Sequence, residues 1–489
     1  MNVYCPFLRI SALSLSIILI TGFSALQAQS SAPHVTLLGW EERTLNFMLD
    51  RSHNFGGTNY NRGLFRDNIN LMSPEHEIDL LTYRYTLADD YQWMASNEAY
   101  RLTFGSLNAK DFAVANKIKS TYSIDEINDF TISGTHEENL RASRFFFLLG
   151  YEHHFKGNHH LGGKHSFSND KSDLDLTAFY RYGSFEKGMF YAGITFLDWT
   201  GNVVQSLADE SDNRFNDSYD VTYQYERSPK LLNFKLISPN IGKMRAELIA
   251  GLQTYSQKLV NPTGDSLDFR DEEWAHYLGA LLEYSYSMGI VGFTYQRRFS
   301  RLQRQPVFNS EFQEDFNNRQ FSDRGGFFAI GSFGDIKIEQ WLWLERNVDR
   351  LQGERVPGDL APDYLSDEPR PFNFIERRLK LKSRLLYGSA SKGIQTGIEF
   401  HADYRYPQGE KDPDNGIRNF EFRNVYPIVR NRNERMTFTI GYRVSKNFYF
   451  LGGISYDLDK DKQSGIGLPR VTGTPTWFDG GFGRISLSW

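Results

Sequence analysis

The chain ends on Gly481-Phe482-Gly483-Arg484-Ile485-Ser486-Leu487-Ser488-Trp489, a stretch that reads with a period of two. Ile485, Leu487 and Trp489 fall on one face of an extended strand, and Arg484, Ser486 and Ser488 on the other. A soluble domain has little reason to close an alternating strand on a bare tryptophan. The last strand of a closed sheet in a membrane does have one. It must pair with the first strand, show lipid an apolar face and stop at the interface.

The same alternation recurs upstream. Phe448, Phe450, Ile454, Tyr456 and Leu458 share a face, as do Met436, Phe438, Ile440, Tyr442 and Val444. Before them come Ile394, Ile398, Phe400, Ala402, Tyr404 and Tyr406, and Leu379, Leu381, Leu385 and Tyr387. Nearer the N-terminus the pattern is carried by Phe145, Phe147, Leu149 and Tyr151, by Leu174, Leu176, Ala178, Tyr180 and Tyr182, and by Phe190, Ala192, Ile194 and Phe196. Tyr219, Val221, Tyr223 and Tyr225 follow, and after Pro229 the phase shifts to Leu232, Phe234 and Leu236, which predicts a bulge. Strands over 244–252, 274–286, 291–299, 327–333 and 336–344 fill the interval. Weaker ones are expected over 78–87, 99–105, 111–122 and 128–136. The expected total is about eighteen strands, with sixteen as the alternative; an even count returns both ends of the sheet to one side.

Connection lengths alternate. Tight turns fall at 184–187, 239–243, 287–289, 334–335, 389–393 and 445–447. Long polar loops are expected between them, at about 156–172, 200–217, 256–272, 300–323, 346–372, 407–433 and 460–477. Counted back from Trp489, the C-terminus lies on the short-turn side.

Residues 1–28 read as a secretory signal, with Arg9 before an apolar run from Ile10 to Ile20 and Ala25-Leu26-Gln27-Ala28 as the cleavage region. The only cysteine is Cys5, inside that segment, so the exported chain has no thiol chemistry. Residues 29–72 are expected to form a periplasmic or plug-like segment, helix-like over 36–51, and 73–489 the sheet domain. Mean hydropathy is −0.51, and no later run of about 20 apolar residues suits a membrane helix. Barrels look soluble by this measure, because only alternate residues meet lipid. The 27 Tyr, 39 Phe and 8 Trp suit interfacial girdles, and a net charge of −5 gives no support for nucleic-acid binding.

The terminal strand, the signal and the strand rhythm resemble the Gram-negative outer-membrane β-barrel class. The resemblance implies an all-β, antiparallel, up-and-down transmembrane barrel with short periplasmic turns and long extracellular loops. It implies a periplasmic C-terminus, with Ile485, Leu487 and Trp489 as the insertion signal. The implied partners are outer-membrane lipid and the barrel-assembly and periplasmic chaperone machinery.

Chemistry is expected on the inner face. Over 374–387 the side opposite the leucines reads Glu376, Arg378, Lys380, Lys382 and Arg384, and the next strand offers Glu399, His401, Asp403 and Arg405. Each cation facing hydrocarbon at the midplane would cost roughly 2–4 kcal/mol, so the row faces the lumen or lies beyond the lipid. Arg443, Arg484, Arg245, Glu247, Glu283 and Lys337 share this phase. Two readings follow: a charged constriction for an anionic solute or a polysaccharide, or ion pairs that only hold the wall together. Five of the eleven histidines lie between His153 and His165. On a flexible glycine-rich loop they would make no preorganised metal site, and the reading names no metal and no cofactor. No nucleophile elbow or metalloprotease helix appears, so an enzyme is not expected. The leading function is a porin-like channel for small hydrophilic solutes or a glycan. The alternative is a closed barrel that binds or assembles at the surface.

Overall fold

In a computed structural model of the chain, all regular structure among the described residues is antiparallel strand. The described residues are 98–107, 111–139, 143–168, 171–184, 187–196, 203–206, 220–227, 230–262, 269–306, 313–356, 372–388, 393–408, 432–445, 447–458 and 478–488. The expected signal, the helix-like segment, the strand over 78–87 and Trp489 lie outside them.

The strands run in chain order. The first seven are β1 (Glu98–Leu107), β2 (Asp111–Asp125), β3 (Asn128–Asn139), β4 (Ser143–Phe155), β5 (His159–Ser168), β6 (Lys171–Ser184) and β7 (Gly188–Phe196). Next come β8 (Val203–Ser206), β9 (Asp220–Arg227), β10 (Lys230–Ile237), β11 (Met244–Pro262), β12 (Phe269–Tyr286), β13 (Gly289–Pro306) and β14 (Gln313–Phe333). The last six are β15 (Ile336–Val356), β16 (Phe372–Tyr387), β17 (Gly393–Gln408), β18 (Arg432–Ser445), β19 (Phe448–Asp457) and β20 (Phe478–Ser488).

Each strand pairs with its sequence neighbours, except that β10 pairs directly with β7. The small β8 strand pairs with β9, which lies on the far half of β11, while β10 lies on its near half. β9 and β10 are therefore two segments of one wall strand, and the break between Arg227 and Lys230 falls at Pro229, which has no N–H for the ladder. β7 and β8 stand in the same relation, so the twenty segments make eighteen wall strands. Finally β1 pairs with β20, from Glu98↔Ser488 to Leu107↔Gly480, and the circuit of pairings returns to its start. The edges that an open sheet would expose are consumed.

Alternation sorts the two faces. Leu342, Leu344, Leu385, Tyr387, Ile394, Ile398, Phe438 and Ile440 are exposed, with Leu344 at 61% and Ile394 at 62%. Residues of opposite phase on the same strands, such as Glu339, Lys382 and Glu399, are buried. An apolar outside around a charged inside inverts a soluble core and matches a barrel whose solvent is lipid. On β15 the outward apolar residues run from Ile336 to Leu344, and the outward Arg346 follows. Nine residues at about 3.3 Å each, tilted by about 40°, span roughly 23 Å, close to the height of a bilayer's apolar band. Within that band Ser383 Oγ donates to Gln340 Oε1 at 2.5 Å, so a polar pair on the outer face satisfies itself.

On the inner face, aromatic rings lie flat over glycines of the next strand. Phe179 faces Gly162, Phe328 faces Gly292, Trp343 faces Gly326 and Phe482 faces Gly453, each as a directly paired position. A Cβ built at any of these glycines would come within 2.5 Å of the ring. The glycine leaves a dent and the ring fills it, which pins register.

Four of the expected long loops need correcting. The stretch 156–172 is not a loop: it contains β5, joined to β4 by the turn 156–158, where Gly157 and Asn158 have φ of 82° and 62°. β5 holds through main-chain pairing with β4 and β6, which needs no apolar pattern. The histidine stretch thereby moves from the long-loop end to the short-turn end. Much of 256–272, 300–323 and 346–372 is also strand, since β11 runs to Pro262, β12 begins at Phe269, and β14 and β15 are 21 residues each and continue beyond the apolar band. There the outward positions become charged, as at Arg346 and Arg350.

Candidate functional site

The cation row stands where the alternation requires. Arg378, Lys380 and Lys382 are buried on the inner face of β16, with Lys382 only 2% exposed, and Arg384 continues the line. The register puts Arg378 opposite Arg405, Lys380 opposite Asp403, Lys382 opposite His401 and Arg384 opposite Glu399 on β17. On the other flank Glu345 pairs with Arg378, Trp343 with Lys380, Trp341 with Lys382 and Glu339 with Arg384. The side chains of His401, Asp403 and Arg405 lie outside the described residues, so only their register is assigned. Arg443, on β18, lies over the Tyr449 ring at 4.7 Å, and Arg484, on β20, is buried with its guanidinium 5.8 Å from the Phe482 ring.

The cations are laterally compensated. Lys382 Nζ is 3.9 Å from both Glu339 Oε1 and Glu399 Oε2. Arg384 reaches the same two carboxylates, Glu339 at 3.7 Å and Glu399 at 3.4 Å. Above them Glu345 Oε2 accepts Lys380 Nζ at 3.0 Å and Arg324 Nη2 at 3.1 Å. A second group sits on β10–β12, where Arg245 binds Glu247 and lies 4.0 Å from Glu283, and Lys235 is 3.8 Å from Glu247. Both Glu247 and Glu283 have no exposed surface, so each buried carboxylate needs nearby cations to compensate its charge, and Arg245 and Lys235 are among them.

Periodicity alone passed over two features of this wall. The first is the pair of partners Glu339 and Glu345, which β15 brings against the cation row. The second is an aromatic run in the same place. Trp341 stacks on Phe328 at 4.9 Å and on Trp343 at 5.1 Å, and its Nε1 donates to Glu339 Oε1 at 2.9 Å. The girdle explanation does not cover these two tryptophans, which face inward. The signal was present in Lys337, Glu339 and Glu345, whose phase they share.

A closed eighteen-stranded meander, apolar outside and charged inside, defines an outer-membrane β-barrel. No protein-family model matches the chain, and no curated protein matches its sequence. Solved structures with similar shape include CdiB from Acinetobacter baumannii, at 10% identity over 81% of this chain, TM-score 0.36. The chain spans about 60% of that protein's length. OccK11 (OpdR) of Pseudomonas aeruginosa aligns at 9% identity over 80% of this chain and 94% of its own, TM-score 0.35. The FrpB iron transporter of Neisseria meningitidis aligns at 7% identity over 81% of this chain and 82% of its own, TM-score 0.38. These superpositions are loose, and the fold rests on the strand register described above.

Proposed function

We propose that the chain is a porin-like channel of the outer membrane, passing small hydrophilic solutes or a glycan through a charged lumen. The observation that carries this is the width of the ring combined with its inner chemistry. Eighteen strands enclose more room than side chains alone fill, and closed barrels of 16–18 strands typically leave an aqueous passage. Among the described side chains of this arc, Arg378, Lys380, Lys382, Arg384 and Arg324 face the carboxylates Glu339, Glu345 and Glu399, a cation-rich stretch that favours an anionic solute or polysaccharide. In this reading residues 1–28 are removed on export, 29–72 form a periplasmic segment, and the C-terminus is periplasmic. Ile485, Leu487 and Trp489 would then direct the barrel-assembly machinery. Purified protein in planar bilayers should conduct, and replacing Lys380 and Lys382 by Glu should move the reversal potential toward cations. Protein that inserts without conducting overturns the channel.

The tight enclosure of the wall favours a second reading, a closed barrel acting as a surface assembly or binding protein. Lys382, Glu247 and Glu283 are almost without exposed surface. Cysteines placed at Arg378 and Arg405 separate the two readings. Rapid labelling by a hydrophilic maleimide supports a water-filled lumen, and protection in the folded barrel supports a closed one.

A further inference from the structure

The histidine stretch folds as a hairpin wall. Asp129 on β3 pairs with Glu152 on β4, His154 on β4 with His160 on β5, and His160 with Arg181 on β6. All five therefore share one face of four adjacent strands, the inner face, at the short-turn end. Neighbouring turns hold them: Asp125 accepts from the Ile127 N–H at 2.9 Å, and Asn128 Oδ1 receives the Tyr151 hydroxyl at 2.6 Å and contacts His153 Nδ1 at 2.8 Å.

We propose that Glu152, His154 and His160 bind a divalent transition-metal ion of the zinc class, with Asp129 and Arg181 holding the ligands in place. The donor atoms converge: all three residues offer one within 4.8 Å of the others. His154 Nδ1 and His160 Nδ1 are 2.9 Å apart, and His160 Nδ1 is 3.3 Å from Glu152 Oε1. A tetrahedral zinc with bonds of about 2.0–2.2 Å needs ligand separations of about 3.3–3.5 Å, so both edges are within about half an ångström of that geometry.

The surrounding groups fit the role. His154 Nε2 lies 2.9 Å from Asp129 Oδ2, near enough for an N–H···O bond once the ring is turned to align with the carboxylate. That bond fixes the proton on Nε2 and leaves the Nδ1 lone pair for the metal, the usual carboxylate–histidine–metal arrangement. Ser123 Oγ in turn donates to Asp129 Oδ1 at 2.7 Å. With the His154 proton on Nε2, the 2.9 Å contact between the two Nδ1 atoms requires a proton on His160 Nδ1 in the metal-free chain; binding the ion would move that proton to His160 Nε2 with no net proton release. Arg181 donates to Glu152 Oε1 through Nε at 2.8 Å and through Nη2. A carboxylate has about four lone-pair sites, so the metal and Arg181 can share it. Two carboxylates against one guanidinium leave the pocket net negative and suited to a dication. Two imidazoles and a carboxylate, with no thiolate, select zinc, nickel or copper over calcium or magnesium.

The proposal rests on the hairpin and not on the channel reading. Zinc chloride titrated calorimetrically into the chelator-treated full-length barrel in detergent should bind at one ion per chain. The H154Q/H160Q pair should abolish this, and D129N should weaken it by about 10–100-fold, the range for an outer-shell partner. The triple variant H153Q/H159Q/H165Q, with the same stretch but intact ligands, should bind like the parent. Heat-shifted gel migration reports folding, and E152Q replaces any ligand variant that fails to fold. Absence of stoichiometric binding in the parent overturns the site. So does loss in the triple variant equal to loss in the ligand pair, which would mark adventitious binding by a histidine-rich strand.

Discussion

Adding one methyl group at Gly325 or at Gly326 should give opposite results. The two glycines are adjacent on β14 and face opposite sides of the wall. At Gly326 an added Cβ would lie 2.5 Å from Trp343 Cδ1 and 2.8 Å from the Leu342 carbonyl oxygen. The carbonyl is main chain held by the β14–β15 ladder, and Trp343 is stacked on Trp341, so neither neighbour moves freely. Overpacking of this kind costs about 1–3 kcal/mol. At Gly325 the nearest atoms are those of the Phe293 ring at 3.9 Å, an ordinary contact on the lipid side. There a methyl gains roughly 0.4–1 kcal/mol by restricting the unfolded chain. G325A and G326A should therefore differ by about 3 kcal/mol, corresponding to about 1.5 M in urea midpoint at a typical denaturant slope. Equilibrium unfolding in phospholipid vesicles, followed by gel migration, reads the difference. Introducing W343A into G326A should recover part of the loss. Equal midpoints for the two alanines would refute the inner packing of Trp343 and the face assignment of β14.

Other perturbations test the remaining layers. Ile398→Arg puts a charge on the apolar belt and should destabilise the barrel by roughly 2–4 kcal/mol in vesicles; an unchanged midpoint would place this surface away from lipid. Glu339→Gln alone leaves Lys382 and Arg384 their contacts with Glu399, whereas E339Q/E399Q removes both of these carboxylates from the two cations. The double variant should lose about 3–5 kcal/mol, more than the two singles combined, in the same unfolding assay. Removing Trp489 should lower the yield of membrane-inserted barrel in cells while leaving unfolding of the inserted fraction unchanged; a normal yield would remove its role as an insertion signal.

The architecture was legible because a closed sheet in lipid imposes a strict period. Ile394 and Ile398 had to face out once Glu399 faced in, and the same alternation sets Arg378, Lys380 and Lys382 on the face opposite Leu385 and Tyr387. The count of about eighteen strands agrees with the ring, though through a different membership. β5 belongs to the ring, while the segment 78–87 lies outside the described residues. β5 was passed over because His159–Ser168 has few outward apolar side chains, and Gly162 is there to seat Phe179, which periodicity does not reveal. The upper halves of β14 and β15 were missed for a related reason. Beyond the lipid, strands are kept by main-chain pairing alone, so Arg319↔Arg350 is as good a pair as Leu342↔Leu381. The candidate site was half visible: its cations stand in one run of sequence, but Glu339, Glu345, Trp341 and Trp343 become their neighbours only through the β15–β16 register.

Closure is the claim on which everything else depends, and it can be measured directly. The exported chain is expected to carry no cysteine, so T103C/R484C places one thiol on each strand of the β1–β20 seam, at directly paired positions. Paired Cβ atoms lie about 4.5–5.5 Å apart, within reach of a short thiol cross-linker. G453C/F482C on β19–β20 serves as the reference for an ordinary neighbouring pair. In isolated outer membranes both pairs should cross-link within one chain and to similar extent. Efficient cross-linking of the reference pair with none across the seam would mean an open sheet, and would contradict the barrel.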